Sequence, residues 1–199
     1  MAICRPLLIG LAGPSGAGKS TLCAAIAADR GDVGHFRLDD FFKDATEFPR
    51  YKHWLNRELP SNLKFDQFIT ALTQLRAGYP VEVPEYSMHA DRAVGTKRVE
   101  PKQVILVEGY LLFHDPRARP LFDLRLFLDV TTEVQIARRL GRGIPFDAAY
   151  FYEVVVPTFE QYGRDAQYDA HIVIDGNGPI EDTTRNFLAI VNDSVRQFA

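Results

Sequence analysis

The sequence contains few cysteines and no long apolar run. Its two cysteines, Cys4 and Cys23, stand in apolar surroundings without the spacing of metal ligands. We therefore expect free thiols, a reducing compartment and a cytoplasmic protein. No apolar run approaches the roughly 20 residues that cross a bilayer as a helix, so no membrane partner is expected. The apolar N-terminal stretch leads directly into a glycine-rich turn, and we do not expect it to be a signal peptide.

The sequence also lacks an excess of positive charge. It has 23 lysines and arginines against 26 aspartates and glutamates, a formal net charge of −3. A nucleic-acid-binding protein normally presents a basic surface, so no nucleic-acid partner is expected. Internal repeats, low-complexity tracts and linkers are also missing from the sequence. Residues 1–199 are therefore expected to form a single domain, and assembly into a homo-oligomer is left open.

What the sequence does contain is a glycine-rich turn between an apolar run and an apolar helix. Residues 13–21 read GPSGAGKST, which fits the pattern G-x-x-x-x-G-K-[ST] of a phosphate-binding P-loop. Glycines let successive N–H groups turn toward an anion, the lysine can reach the outer phosphates, and the serine hydroxyl can ligate Mg²⁺. The predicted nucleotide-binding residues are Gly13, Ser15, Gly16, Ala17, Gly18, Lys19, Ser20 and Thr21.

Predicted strands and helices alternate along the chain. This alternation is typical of an α/β fold with a mostly parallel sheet. Strands are expected at about residues 6–12, 35–38, 104–107, 124–128 and 171–174. Helices are expected at about residues 19–30, 62–78, 131–140, 147–163 and 179–198.

An insertion interrupts this alternation over about residues 41–100. Residues 41–61 are aromatic and charged without clear periodicity, which predicts a long functional loop with at most one helical turn. Residues 81–86 and 97–99 resemble the two arms of a β-hairpin, with its tip at Ser87–Thr96.

Acidic residues follow two of the predicted strands. The carboxyl ends of parallel strands line the ligand crevice, so Asp39, Asp40 and Glu108 should face the P-loop. Glu108 together with Ser20 is the candidate Mg²⁺ site, with a simple turn cap as the alternative. Asp39 is the candidate base for an attacking hydroxyl, and spacing alone does not separate it from Asp40. Either aspartate could equally be a turn residue.

Arginines stand at the end of the third predicted helix and just after it. Arg138, Arg139 and Arg142 stand beside glycines, as in a short lid over about residues 138–148 that closes on ATP. Arg138 and Arg142 are the predicted catalytic cations with Lys19, and Arg139 is a predicted nucleotide ligand. The alternative is a cationic helix end that only complements the helix dipole.

These motifs in this order resemble the P-loop small-molecule kinases that include uridine kinase and nicotinamide riboside kinase. Phosphoribulokinase and pantothenate kinase are more distant members of that group. The resemblance runs from about residue 7 to 175. The matching segments are residues 13–20, LDDFFK at 38–43, FDQF at 65–68, PEY at 84–86, VEG at 107–109, RR at 138–139, and VP at 156–157 followed by Tyr162.

The resemblance implies a P-loop NTPase three-layer fold with a five-stranded sheet, a β-hairpin substrate lobe and an arginine lid. It implies ATP and Mg²⁺ as cofactors, and transfer of the γ-phosphoryl group to the 5′-hydroxyl of a nucleoside, with Asp39 as the base. Phe42 and Tyr86 would sandwich the nucleoside base. The remaining residues implied to bind the nucleoside are Asp40, Glu58, His89 and Arg92.

The acceptor is less well determined than the reaction. Uridine kinases usually carry a longer lid, and the tip between Tyr86 and Arg92 is one residue shorter than usual. The segments 39–43, 108–113 and 150–152 are closer to nicotinamide riboside kinases. A uridine kinase-like activity is therefore expected, with nicotinamide riboside kinase or another kinase of the group as the alternative.

Two other classes of P-loop protein lack their signatures. A guanine-nucleotide switch needs an Asn-Lys-x-Asp motif, which the sequence does not contain. A motor-type ATPase normally places Asp-Glu at the end of a strand such as 104–107, where Glu108-Gly109 stands instead. A nucleotide-binding module without activity is disfavoured because Lys19, Ser20 and Asp39 are all present.

Overall fold

The computed structural model describes residues 5–141 and 146–198. Its strands are β1 (Leu7–Ala12), β2 (Val33–Arg37), β3 (Arg50–Tyr51), β4 (Trp54–Leu55), β5 (Val81–Ser87), β6 (Arg92–Val99), β7 (Val104–Gly109), β8 (Leu124–Asp129) and β9 (Ile172–Asp175). Its helices are α1 (Lys19–Asp29), α2 (Phe65–Arg76), α3 (Thr132–Leu140), α4 (Ala148–Tyr150), α5 (Val156–Tyr162), α6 (Ala166–Asp169) and α7 (Ile180–Phe198).

The centre of the fold is a five-stranded sheet in the order β2-β7-β1-β8-β9, with every neighbouring pair parallel. Strands β1 and β7 are buried along their whole length, because both faces of a parallel sheet are covered by helices. Their unbroken apolar runs made them predictable. The expected α/β class and five-stranded core are confirmed.

Alternating residues of β1 enter two separate hydrophobic cores. Leu8 packs on one face of the sheet with residues of α2 and α5, such as Phe68 and Phe159. Ile9 packs on the other face with residues of α1 and α7, such as Leu22. Because side chains of a strand alternate between faces, one strand can anchor both helix layers. The result is the three-layer arrangement that the resemblance implied.

The carboxyl ends of three strands meet at one edge of the sheet. In the register of the sheet, Glu108 of β7 pairs with Leu11 of β1 on one side and with Arg37 of β2 on the other. The P-loop leaves β1 at this edge, and the turn that carries Asp39 leaves β2 there. The predicted convergence of these groups is therefore present.

The insertion differs from its prediction in detail. Strand β2 ends at Arg37, earlier than expected, because Leu38–Phe41 form a 3₁₀ turn. The long loop contains 3₁₀ turns at Ala45–Glu47 and Pro60–Asn62 and the two-residue ribbon β3–β4. The hairpin β5–β6 extends further than expected, since Arg92–Val99 are paired and only residues 88–91 form the tip.

The helix expected at 147–163 is divided into three parts. A π-helical turn, Phe151–Val155, separates α4 from α5. Pro157 lies in the first turn of α5 and has no N–H to donate to the preceding turn, which agrees with the irregular π-helical turn directly before it. Among the helices of the described residues, none combines the length and apolar character that crossing a bilayer requires.

Candidate active site

The P-loop forms a tight turn in which the glycines have a steric reason. Gly18 begins α1 in the left-handed conformation, with φ 96°, which side chains rarely adopt. A Cβ atom on Gly13 would lie 2.4 Å from the carbonyl oxygen of Leu128. Lys19 is buried at the turn, and its Nζ donates to the carbonyl oxygens of Gly13 and Pro14 at 2.8 and 3.0 Å. The loop thus holds the Lys19 ammonium group among its own backbone carbonyl oxygens.

Ser20 and Glu108 are in direct contact, as a shared Mg²⁺ site requires. The Ser20 Oγ donates to Glu108 Oε1 at 2.9 Å, and His35 Nε2 lies 3.5 Å from the same oxygen. Burial raises the pKa of Glu108, but His35, Lys19 and Ser20 lower it more, so the carboxylate is charged.

An oxygen pair of this kind suits a hard cation. The described residues contain no group of three or more His, Cys, Asp or Glu side chains that could hold a metal ion. Mg²⁺ in kinases is typically bound by one or two protein oxygens together with substrate phosphates, which the Ser20–Glu108 pair fits. The alternative of Glu108 as a turn cap does not explain its contact with Ser20.

The two adjacent aspartates have different surroundings. Asp40 is buried and accepts from Lys97 Nζ at 2.6 Å, with Arg37 Nη2 at 3.3 Å and the Tyr86 N–H at 3.4 Å. Its carboxylate therefore anchors β6 and β5 to the end of β2. Both of its oxygens are engaged by the protein, and contact of Asp40 with the acceptor stays a prediction.

Asp39 faces the crevice instead. Its Oδ1 atom is buried without a hydrogen-bond partner among the described residues. Burial, followed by the charge of Glu108, raises the pKa of Asp39 from 3.8 to about 7. A carboxylate with this pKa can take up a proton at neutral pH.

Glu58 is held beside the crevice by two tyrosines. The Tyr110 hydroxyl donates to the Glu58 carbonyl oxygen at 2.7 Å, and the Tyr150 hydroxyl lies 3.4 Å from Glu58 Oε1. Burial raises the pKa of the Glu58 carboxyl, while the charge of Arg139 is the leading influence in the opposite direction. The side chain is thus an oxygen acceptor at the margin of the phosphate site.

The two described lid arginines point to different places. Arg139 Nη2 donates to Ser15 Oγ at 2.6 Å, and its guanidinium lies 5.1 Å from the centre of the Phe151 ring. Arg138 donates to the carbonyl oxygens of Ala17 at 2.5 Å and Gly176 at 2.6 Å. Both arginines therefore reach the P-loop, which a helix end that only complements its dipole would not require. Arg142 lies outside the described residues.

The expected base sandwich is not open in this structure. The rings of Phe42 and Tyr86 are both buried and have centres 5.4 Å apart at an angle of 48°. Two rings that hold a third between them need about 7 Å, twice the usual contact distance. The pair contributes to the core, so the sandwich is wrong for this conformation. His89 and Arg92 are exposed at the hairpin tip, and Thr21 is exposed on the first turn of α1.

Sequence analysis did not identify several residues that lie near Glu58 in the structure. Arg57 forms a two-bond ion pair with Asp91 of the hairpin tip, at 2.5 and 2.7 Å. The Trp54 and Tyr150 rings lie 6.0 Å apart at the edge of the same region. No local pattern links these residues, because their separations along the chain are 34 and 96 positions. The aromatic composition of residues 41–61 was the one usable signal.

A set of contacts, here called the strap, fastens the loop at residues 52–57 to residues 147–153, at the end of the expected lid and just beyond it. Lys52 pairs with Glu153, and Trp54 Nε1 donates to Asp147 Oδ2 at 2.9 Å. The backbone N–H of Arg57 donates to the Tyr150 hydroxyl at 3.0 Å. The strap joins the Glu58 region to the segment beyond the arginines.

Comparison with known proteins adds relatives of similar sequence. The chain is 31% identical over 188 residues to a uridine kinase of Clostridium perfringens (strain SM101 / Type A), covering 87% of this chain and 89% of that protein. It is 32% identical over 184 residues to uridine kinase-like protein 4 of Arabidopsis thaliana, covering 87% of this chain and 39% of that protein. The chain thus spans about two fifths of the length of the plant relatives it matches.

Solved structures support the fold. A Silicibacter sp. TM1040 protein described as a fructose transport system kinase superposes with a TM-score of 0.69 at 24% identity, covering 85% of this chain and 89% of that chain. At this identity the likeness concerns the fold alone. The sequence profile of the Phosphoribulokinase / Uridine kinase family matches residues 8–178. The P-loop, the acidic strand ends and this match over most of the chain agree with the resemblance, and the chain belongs to the phosphoribulokinase/uridine kinase family.

Proposed function

We propose that this protein is an ATP-dependent kinase that transfers the γ-phosphoryl group of Mg-ATP to the 5′-hydroxyl of a nucleoside, with uridine as the first candidate. The insertion over about residues 41–100 is then the acceptor lobe, and residues 138–148 are the lid of the same domain. Nicotinamide riboside is the second candidate acceptor, and other alcohols used within the family follow.

The observation that carries the proposal is Asp39. A nucleotide-hydrolysing switch needs only to position water, whereas a kinase needs a base for a bound alcohol. Asp39 is half-buried, with a buried Oδ1 that has no hydrogen-bond partner among the described residues and a pKa of about 7, at the strand edge that it shares with Glu108 and the P-loop. Its surroundings match it to accept a hydroxyl proton at neutral pH.

The chemistry is an in-line displacement. The acceptor hydroxyl gives its proton to Asp39, its oxygen forms a bond to the γ-phosphorus, and the bond to the β-phosphate oxygen breaks to release ADP. Lys19 and the P-loop N–H groups bind the phosphates. Ser20 and Glu108 are the residues that would hold Mg²⁺, which supplies charge neutralisation at the phosphates when bound.

The lid arginines have distinct proposed roles. Arg139 touches Ser15 and influences Glu58, so it lies between the phosphate loop and the acceptor side. It is the better candidate for the cation over the migrating phosphoryl group. Arg138 bridges Ala17 and Gly176, which favours holding the P-loop against the turn after β9. This assignment reverses the roles expected from the sequence.

The decisive experiment follows ADP formation from Mg-ATP with uridine, cytidine, nicotinamide riboside, ribulose 5-phosphate or pantothenate. Turnover that depends on one nucleoside supports the proposal and names the acceptor. Equal ADP formation with and without every acceptor would instead support a nucleotide hydrolase. Asp39→Asn is the matched control, since it keeps the shape of the side chain and removes the base.

A further inference from the structure

The acceptor lobe contains a buried hydroxyl that the protein leaves without a partner. The Tyr86 side chain is 5% exposed, and its Oη has no hydrogen-bond partner among the described residues. Buried hydroxyls in native proteins are normally paired, and an exception calls for an explanation such as a ligand. Tyr86 lies on β5, whose backbone is fixed at this point by Asp40.

The two charges that act most strongly on this hydroxyl belong to one ion pair. Burial raises the pKa of Tyr86, Asp91 raises it further, and Arg57 lowers it. Arg57 and Asp91 are bonded to each other through both guanidinium nitrogens and both carboxylate oxygens. Their side chains are 37% and 34% exposed, so the pair is not sealed into the core.

The pair still has capacity for a ligand. A guanidinium carries five N–H donors, of which two are used here, and each carboxylate oxygen can accept a second hydrogen bond. The pair therefore presents a donor beside an acceptor. Its complement is a planar group with an acceptor beside a donor, as in an amide.

The order of groups along the lobe fits a nucleoside lying lengthwise. Asp39 is at the strand edge with the P-loop, Glu58 is beside the crevice, and Arg57, which pairs with Asp91, directly precedes Glu58 in the chain. Glu58 and Arg57 are held in this order by Tyr150, whose hydroxyl contacts both. A 5′-hydroxyl at Asp39 and ribose hydroxyls at Glu58 would direct the ring toward the ion pair.

We propose that the Arg57–Asp91 pair, with the Tyr86 hydroxyl, recognises the amide edge of the acceptor's ring system. A ring carbonyl oxygen accepts from Arg57, and the adjacent N–H or NH₂ donates to Asp91. The uracil ring and the carboxamide of nicotinamide both present this edge. The inference rests on the proposed kinase function and adds a specificity pair to it.

The test compares acceptors that differ only at this edge. Uridine is paired with N3-methyluridine, nicotinamide riboside with pyridine riboside, and methyl β-D-riboside serves as the acceptor without a ring edge. For the preferred nucleoside, the wild-type kcat/KM should exceed that of its edge-blocked partner about tenfold or more, as the loss of hydrogen bonds to a charged group predicts.

Asp91→Asn and Tyr86→Phe are the informative variants. Asparagine tolerates the left-handed backbone of Asp91, with φ 57°, and phenylalanine keeps the Tyr86 ring. Both variants should raise KM for the preferred nucleoside about tenfold, reduce its advantage over the edge-blocked partner, and leave kcat/KM for methyl β-D-riboside unchanged. Arg98→Met removes another arginine of the hairpin, whose ion pair within the described part of the chain is with Glu100, and should change none of these values.

The outcomes separate the two proposals. Nucleoside turnover without discrimination at the ring edge overturns the specificity pair and leaves the kinase standing. An equal loss with all acceptors, including methyl β-D-riboside, shows that Asp91 only supports the lobe and also overturns it. No turnover of any riboside by the wild-type protein overturns both proposals. Melting temperature and KM for ATP report whether each variant is folded.

Discussion

Asp39 and Asp40 are neighbours in the chain, but only one of them is free to react. Asp40 neutralises Lys97 and Arg37, whereas Asp39 is half-buried and feels the charge of another carboxylate, Glu108. The sequence placed both at the end of a strand and could not separate them, because the partner that decides the matter, Lys97, is 57 residues away on the hairpin. Long-range pairing of this kind leaves no local pattern.

Substitution of each aspartate by asparagine should therefore have opposite effects on stability. Asp39→Asn should lower kcat by about 10²–10⁴, the usual contribution of a general base, with little change in ATP affinity. It should also raise the free energy of unfolding at pH 8 by roughly 2 kcal/mol, because a buried charge is removed. Asp40→Asn should lower the free energy of unfolding by roughly 2–4 kcal/mol, since Lys97 and Arg37 lose their counter-charge.

Chemical denaturation and steady-state kinetics on the three proteins check this pair of expectations. If the Asp40→Asn variant were stable but inactive and the Asp39→Asn variant were active, Asp40 would be the base and Asp39 would not. The measurement is direct because asparagine changes charge and hardly changes volume in both cases.

The raised pKa of Asp39 also sets a pH dependence. Only the ionised carboxylate accepts a proton, so kcat/KM for the acceptor should rise with pH and level off above about 7. The folded pKa lies above the ordinary 3.8, so the folded state binds this proton more tightly than the unfolded state. The contribution of this tighter proton binding to the free energy of unfolding is therefore complete below pH 4, and it disappears as the pH rises through 7.

Two titrations can measure these effects. The pH profile of kcat/KM gives the first, and the free energy of unfolding between pH 4 and 8 gives the second, each compared with Asp39→Asn. A wild-type kinetic profile that stays flat from pH 5 to 8 would show that Asp39 is not the group that takes the proton.

At the scale of elements, the strands and helices that could be predicted are those in which apolar side chains follow a regular spacing. Strands β1 and β7 are unbroken apolar runs, and the apolar residues of α2 recur at three- and four-residue spacing. The ribbon β3–β4 was not predicted, and the tip of the hairpin was predicted too long, at Ser87–Thr96 instead of residues 88–91. Their residues are mostly exposed, so no burial pattern marks them, and their conformation depends on contacts such as Arg57–Asp91.

The end of α3 provides a test at this scale. Arg139→Met should lower kcat about 10²–10³-fold with a small change in ATP affinity, as expected when a cation at the reacting phosphate is removed. Arg138→Met should mainly raise KM for ATP, because Ala17 and Gly176 lose their shared donor. Kinetics with ATP and acceptor varied separately distinguish the two. The reverse pattern would restore the roles first expected from the sequence.

At the scale of the whole molecule, nucleotide binding should stabilise the folded state. Mg-ATP at 100 times its Kd adds about 2.7 kcal/mol to the free energy of unfolding and should raise the melting temperature accordingly. Lys19→Ala should remove most of this increase. A thermal-shift titration on both proteins, with and without Mg²⁺, provides the measurement, and an equal shift in the variant would exclude Lys19 from nucleotide binding.

The family and the three-layer fold were both predictable, because the P-loop and the strand-end acids are local motifs joined by apolar strands. The acceptor was not, because the residues beside Glu58 come from three separate segments. Lys52, Trp54 and Arg57 belong to one segment, Asp91 to the hairpin, and Tyr150 to the helical stretch after the lid. Their association exists only in the folded chain.

We expect the strap between residues 52–57 and 147–153 to make the binding of one substrate depend energetically on the binding of the other. Its contacts connect the acceptor side to the segment that follows Arg138 and Arg139. If acceptor binding orders this connection, the lid is partly organised before ATP arrives. Thermodynamic linkage then requires each substrate to increase the affinity for the other by the same factor. Trp54→Phe removes the hydrogen bond to Asp147. In this variant, the factor by which each substrate increases the affinity for the other should be closer to one.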